Sequence, residues 1–310
     1  MKRPDPKDVR CLAVLGAGGL IGASWVAFFL SRGIDVVAQD PADGAESRLA
    51  EFIERTNAVL RPAGARVGNL RFERELEPAM RGVEFVQENA PENEAIKADL
   101  FARVDALTAP EVIIASSTSS LLRSRIVVKC AHPERCIMAH PINPPHLMPL
   151  VEIVADNPEV ADWASRFYAF HGKKPVVLKR EAVGHIANRL ASALWQEAVS
   201  MVEQGIATVE DIDTAVTHGP GLRFAVMGPT MLYHTGGGRG GLEQYLRHLG
   251  ASQERRWADL GTPKLTEELQ RQLIAGVLDE AAGRSIDQLE EERDRAIREI
   301  LRTRHSEPEK

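Results

Sequence analysis

The chain has 310 residues, 44% hydrophobic and 26% charged, with 38 basic against 44 acidic side chains and a formal net charge of −6. That is the composition of a globular protein of roughly two domains of about 150 residues, without the basic footprint that nucleic acid requires. The longest apolar run, Trp25 to Leu30, is too short for a bilayer, and Cys11, Cys130 and Cys136 lack metal-ligand spacing, so no membrane, no metal and reduced thiols are expected. The charged opening MKRPDPKDVR has no apolar stretch of a signal peptide behind it, which makes the cytoplasm the expected location.

In chain order, CLAVLG (11–16) reads as a buried strand from its near-continuous apolar run, and LIGASWVAFFLSRG as a helix ending at Gly33. DVVAQD (35–40) is a second strand, AESRLAEFIERTNAVL a helix, VEFVQENA (83–90) a third strand and AIKADLFARVDALTA a helix. VIIASS (112–117), CIMAH (136–140), LVEIV (150–154) and PVVL (175–178) complete the strands. This alternation predicts a parallel sheet with helices on both faces. After about Val183 the pattern is helical. IANRLASALWQEAVSMVEQG closes at Gly205, and Thr208 with Asp211 forms a capping-box signature for a helix stopping at Gly219. The remainder reads as helix apart from the glycine-rich TGGGRGG (235–241), and the end, SIDQLEEERDRAIREILRTR, as a solvated or subunit-facing helix. The expected architecture is a doubly wound α/β domain over 1–182 and an all-helical domain over 183–310.

Three segments carry chemistry. AVLGAGGLIGASW (13–25) places a glycine-rich turn between a strand and a helix, and Asp40 closes the next strand 22 residues after Gly18. Glycines that admit a pyrophosphate, a helix N-terminus and an acid for the ribose hydroxyls together make a dinucleotide cradle of the Rossmann type, and the acid favours NAD over NADP. The spacing is G-x-G-x-x-x-G, one residue longer than usual, so Gly19 and Gly22 compete for the later positions. In AHPINPPHLMPLVEIV (139–154), His140 ends one strand, Glu152 lies in the next, and Asn143 sits in the loop between them. A histidine with a carboxylate partner is a base near neutral pH; the plainer alternative is a structural histidine beside a surface acid. A carboxylate amid apolar neighbours is costly unless paired, which favours the pair. IIASSTSSL (113–121) brings hydroxyls to a strand end, where ligands of such sheets sit, although serines there are also common turn formers.

Through SSTSSL (116–121), AHPINPPHLMPLVEIV and VGHIANRL (183–190), the chain from about Val9 to about Gly241 resembles the 3-hydroxyacyl-CoA dehydrogenase superfamily. It is most similar to the branch holding L-gulonate 3-dehydrogenase (lambda-crystallin) and L-carnitine dehydrogenase, to which GPGLRFAVMGP (219–229) also points. The double proline of HPINPPHLMPLVEIV resembles the gulonate type. The resemblance implies a catalytic pair at His140 and Glu152, and substrate-oxygen contacts at Ser119 and Asn188 with Asn143 in support. It implies cofactor contacts at Gly16, Gly18, Gly19, Leu20, Ile21, Gly22, Asp40, Glu92 and Lys97, and a homodimer formed through the helical domain. The expected activity is NAD-dependent oxidation of the 3-hydroxyl of a small free acid, L-gulonate-like, with L-carnitine or a 3-hydroxyacyl-CoA as alternatives. A non-catalytic NAD(H)-binding protein is the alternative of another class. Arg189 and Arg223 are candidates for the substrate carboxylate, each equally readable as a surface arginine. A carnitine-like cation would call for an aromatic cage, for which Trp195, Phe224 and Tyr233 lie in the right region. His146 and His234 are pocket candidates, with exposed loop histidines the plainer reading.

Overall fold

The computed structural model describes residues 3–60 and 66–305. The chain divides into two compact units, Met1–Arg189 and Leu190–Lys310. In the first, strands β1 (Cys11–Leu15), β2 (Asp35–Gln39), β3 (Leu70–Glu73), β4 (Phe85–Glu88), β5 (Ile113–Ser116), β6 (Cys136–Pro141), β7 (Leu150–Val154) and β8 (Lys174–Val177) form one sheet in the order β3-β2-β1-β4-β5-β6-β7-β8. Its helices are α1 (Leu20–Ser31), α2 (Ala45–Leu60), α3 (Leu76–Ala79), α4 (Glu94–Leu107), α5 (Arg123–Ile126) and α6 (Pro158–Phe170).

Successive strand residues point to opposite faces, and the core divides accordingly. Leu12, Val14, Val36 and Ala38 pack with α1, α2 and α6, while Ala13, Leu15 and Val37 pack with α3, α4 and α5. Every residue of α1 from Gly22 to Leu30 is buried, as befits a helix apolar on all sides. Trp25 stacks on Phe29 with ring centroids 5.2 Å apart and approaches Tyr168 at 5.8 Å.

The sheet departs from the all-parallel expectation at one seam. β6 and β7 are antiparallel, whereas every other neighbouring pair is parallel. The connecting loop, 142–149, is shorter than the dozen or so residues that a parallel crossover needs, so the chain must turn back on itself. β3 is a further strand with no counterpart in the sequence reading; it is a half-exposed edge strand, Leu-Arg-Phe-Glu, whose charges suit an edge.

Below these strands, His171 is buried, packed edge-on against Phe167 at 4.9 Å, and its Nε2 has no partner. Burial, reinforced by the charge of Arg32, pushes its pKa down from 6.5 to about 4. A depressed folded-state pKa means that stability present above about pH 6.5 is lost as the pH falls through about 4. The melting temperature is therefore expected to drop between those limits, and His171→Phe to flatten part of the drop. An unchanged slope in the variant would remove His171 from the account.

The second unit is helical among the described residues. α7 (Ala187–Glu203), which begins in the first unit, is followed by α8 (Val209–His218), α9 (Pro220–Phe224), α10 (Pro229–Gly236), α11 (Gly241–Asp259), α12 (Glu267–Ala281) and α13 (Ile286–His305). The Thr208–Asp211 capping box starts α8 as expected. The glycine-rich stretch is not a break: it ends α10, makes a single 3-10 turn at Gly238–Gly240 and opens α11. Among the described residues no helix is long and apolar enough to cross a membrane.

Candidate active site

The glycine turn follows β1 and opens α1. Gly16 has φ +68°, a left-handed conformation that glycine adopts freely. A Cβ on Gly22 would sit 2.1 Å from the Gly16 carbonyl oxygen, and one on Gly18 would sit 2.5 Å from the Ala45 Cβ. Gly19 would meet nothing closer than 3.5 Å. Gly16, Gly18 and Gly22 are thus the sterically required glycines, and Gly19 is the spare of the lengthened motif. Gly19 is also the N-cap of α1, and no side chain caps the amides of the first turn, which starts at Leu20. Asp40, at the end of β2, accepts from the Gly18 amide at 2.9 Å and the Ala42 amide at 3.0 Å. Gly16, Gly18, Gly19 and Asp40 line a cleft of ≈ 870 Å³ that also includes Leu76 and Pro91. An uncapped helix end, a close-packed glycine turn and an acid at the next strand end suit a dinucleotide.

Next to this cleft the hydroxyl run after β5 is pinned residue by residue. Ser116 donates to the buried Glu88. The Ser117 hydroxyl accepts from Trp25 Nε1 at 3.0 Å and from Gln87 at 2.9 Å. Glu92 Oε1 accepts from the Thr118 hydroxyl at 2.5 Å and from the Ser119 and Ser120 amides at 3.0 and 2.9 Å. Burial opposes the charge on Glu92, but the bonds from Thr118 and Ser120 and the charge of Lys97 prevail and hold its pKa down at about 2. The Lys97 ammonium, itself buried, lies 2.7 Å from Glu88, 2.8 Å from the Ala90 carbonyl and 3.7 Å from Glu92. Glu92 and Lys97 are thus joined to each other and to the loop that carries Ser119.

The antiparallel seam supplies the second half of the site. In its register His140 stands directly opposite Glu152. His140 Nδ1 lies 2.9 Å from Glu152 Oε2, and both side chains are buried. Glu152 Oε1 accepts from the amides of Ile186 at 2.7 Å and Ala187 at 3.0 Å, where α7 begins. Burial works against the carboxylate, yet the bonds from His140, Ala187 and Ile186 lower its pKa below the ordinary value. An ionised Glu152 can only accept, so Nδ1 carries the proton and donates to it, which leaves the lone pair of a neutral His140 on Nε2. Asn188, on the first turn of α7, approaches that Nε2 at 3.5 Å. The arrangement is an oriented imidazole with its basic nitrogen offered to a ligand.

The other candidates fall as follows. Asn143 is exposed in the loop between β6 and β7, and Arg189 is exposed on α7. Arg223 lies exposed on α9 of the second unit, as do Phe224, Trp195 and Tyr233 on its helices. His146 departs from the exposed-loop reading: it is buried, with Nδ1 2.8 Å from the Ser24 hydroxyl of α1 and its ring edge-on to Phe52. His234 is exposed, and its Nδ1 accepts from the Leu242 amide at 3.1 Å.

Sequence reasoning missed the groups that hold the site together. Glu88 ends FVQE, where Gln87 beside it hides the signal that apolar neighbours gave Glu152. His185 stands in VGHIANRL three residues before Asn188, with nothing in its neighbours to mark it. Lys173 gave no signal; its buried ammonium donates to the carbonyls of Pro145 and Met148 and lies 3.9 Å from the Phe28 ring centre, tying the 142–149 loop to α1.

With this geometry in place, residues 11–182 match the family model described as 3-hydroxyacyl-CoA dehydrogenase, NAD binding domain, and residues 184–281 match that of the C-terminal domain. The chain belongs to the 3-hydroxyacyl-CoA dehydrogenase family. It is an NAD-dependent dehydrogenase, as the resemblance implied. The family member named L-carnitine dehydrogenase from Streptomyces coelicolor is 46% identical over 305 residues, covering 96% of both chains. Another of that name from Pseudomonas aeruginosa is 39% identical, covering 95% of this chain and 94% of its own. Among solved structures, an NAD+ dependent dismutase, 5-formyl-3-hydroxy-2-methylpyridine 4-carboxylic acid 5-dehydrogenase, superposes with TM-score 0.81 at 29% identity, over 97% of this chain and 100% of that one. A 3-hydroxyacyl-CoA dehydrogenase from Archaeoglobus fulgidus gives 0.66 at 26% identity, over 96% and 100%.

Proposed function

We propose that this protein is an L-carnitine dehydrogenase, oxidising the 3-hydroxyl of the free acid with NAD. The observation that carries the reading is the 46% identity to a protein of that name over 96% of both chains. It favours the carnitine alternative over the L-gulonate-like substrate suggested by the double proline of the 142–149 loop. NAD, when bound, accepts the hydride. His140 takes the hydroxyl proton on Nε2, because Nδ1 already donates to Glu152 at 2.9 Å. Glu152 orients the ring and offsets the charge that it gains. Asn188 and Ser119 donate to the substrate oxygen as it becomes a carbonyl. Asn143 would support these contacts, and Arg189 would bind the carboxylate of the acid. Gly16, Gly18, Gly19, Leu20, Ile21, Gly22 and Asp40 would hold the cofactor, with Glu92 and Lys97 in support. We further infer a cofactor domain over 1–182 and a helical substrate and dimerisation domain over 183–310.

The test is NADH absorbance on L-carnitine, L-gulonate, 3-hydroxybutyrate and 3-hydroxybutyryl-CoA, each with NAD and with NADP. Turnover on L-carnitine with NAD is expected to exceed the others. Preference for L-gulonate or the CoA ester would overturn the substrate, and NADH binding without turnover on any of them would favour the non-catalytic alternative.

A cytoplasmic homodimer completes the reading. The helical unit buries few large apolar side chains and exposes many, among them Leu194, Ile274, Val277 and Leu278. Exposed apolar area on this scale suits a subunit interface. Sizing in solution is expected to give twice the 34.0 kDa chain mass; a monomer would remove the proposal.

A further inference from the structure

His185 lies beside the candidate base yet has no part in the scheme above. It is 2% exposed, and its ring centre is 4.9 Å from that of His140 at a tilt of 37°. Its Nε2 is 3.2 Å from the Thr118 carbonyl oxygen. A carbonyl only accepts, so Nε2 carries the proton and Nδ1 is the lone pair; that Nδ1 is buried without a partner. The backbone is also unusual. Gly184 has φ +75° and His185 φ +50°, a left-handed conformation uncommon for a residue with a side chain. An unsatisfied buried nitrogen and a strained backbone at one residue are both unfavourable, and such features gather where surrounding structure imposes them for a purpose.

The surroundings indicate the purpose. The left-handed pair at 184–185 turns the chain so that the next two amides, Ile186 and Ala187, reach Glu152. The Thr118 carbonyl belongs to the peptide that leads into Ser119. The ring face meets His140. One side chain therefore touches the two parts that the proposed chemistry must align, the oxygen-binding loop and the base.

We propose that His185 is a positioning residue that sets the plane of the His140 imidazole and the placement of Ser119, a role that rests on the acid–base reading above. It works as a neutral ring. The charged and titratable groups facing it are His140 on β6, Glu152 on β7 and Glu92 after β4; burial, first, and the neighbouring His140 lower its pKa from 6.5, outweighing the Thr118 bond and the two carboxylates. A neutral His185 leaves the positive charge of the reaction on His140, opposite Glu152. His185 itself touches no reacting atom in this scheme.

The test uses the full chain and two variants. His185→Phe keeps a ring against His140 and loses the bond to Thr118; His185→Gln keeps an amide donor at a similar reach and loses the ring. With saturating NAD and L-carnitine, kcat is expected to fall roughly 10–100-fold in both variants, as for a misplaced catalytic group. KM for NAD and the melting temperature should stay near their original values. The primary isotope effect with L-carnitine deuterated at the carbinol carbon should rise as hydride transfer becomes limiting. An unchanged isotope effect, or a fall in kcat that tracks the melting temperature alone, would overturn the proposal. Independently of any substrate, imidazole 15N spectra of the wild-type protein should show His185 as the neutral Nε2–H form at pH 7, and the His140 signals should move in the Phe variant. A charged or Nδ1–H His185, or unmoved His140 signals, would overturn it even if L-carnitine proves not to be the substrate.

Discussion

His140→Gln is expected to lower kcat by roughly 10²–10⁴, the range for removing a general base, while NADH still binds. Glutamine is close to histidine in reach, so its amide can still donate to Glu152 and meet Asn188, and the seam between β6 and β7 need not shift. What it lacks is a ring nitrogen with a lone pair to take the hydroxyl proton. The loss should therefore appear in turnover and not in cofactor affinity, because the cleft around Gly18 and Asp40 is built from other elements. Fluorescence titration of NADH alongside steady-state rates separates the two. Near-normal turnover would mean that another group takes the proton.

The second large effect concerns stability. Lys97→Met leaves Glu88, which has no exposed surface, without its cation. Removing one partner of a buried ion pair costs about 3–5 kcal/mol, and for a domain of this size that lowers the melting temperature by roughly 6–20 °C. The double variant Lys97→Met with Glu88→Gln should recover much of the loss, since the uncompensated charge is then gone. If instead the single variant melts normally but no longer binds NADH, then Lys97 serves the cofactor directly, as the family resemblance implied, and not through the network of Glu88, Ala90 and Glu92.

Most of the first domain was legible because its signals are local. Apolar runs gave seven of the eight strands among the described residues, and the strand–turn–helix context identified the cradle despite its lengthened glycine spacing. β3 escaped because a short, half-exposed edge strand, LRFE, has no apolar run to mark it. The reversal at β7 was legible in principle: a proline-rich connection that short cannot carry a crossover. His140 and Glu152 could be paired from sequence because a carboxylate in LVEIV demands a partner. His185 and Lys173 could not be singled out, since their roles depend on carbonyls at Thr118, Pro145 and Met148 that meet them only in the folded chain. The substrate was least legible, because a double proline describes the course of a loop and carries no information about the charge of a ligand.

The seam between β6 and β7 also turns the proposed acid–base pair into a matter of reading frame. His140 faces Glu152 because the two strands are paired at one particular offset, and a slip of a single residue sends every side chain of a strand to the opposite face. Point changes around the pair leave that frame intact. An insertion or deletion of one residue within either strand does not: it would swing Glu152 to the far side of the sheet and bury a charge there without its histidine. A proposed pair of this kind thus tolerates substitutions around it and not length changes in these two strands.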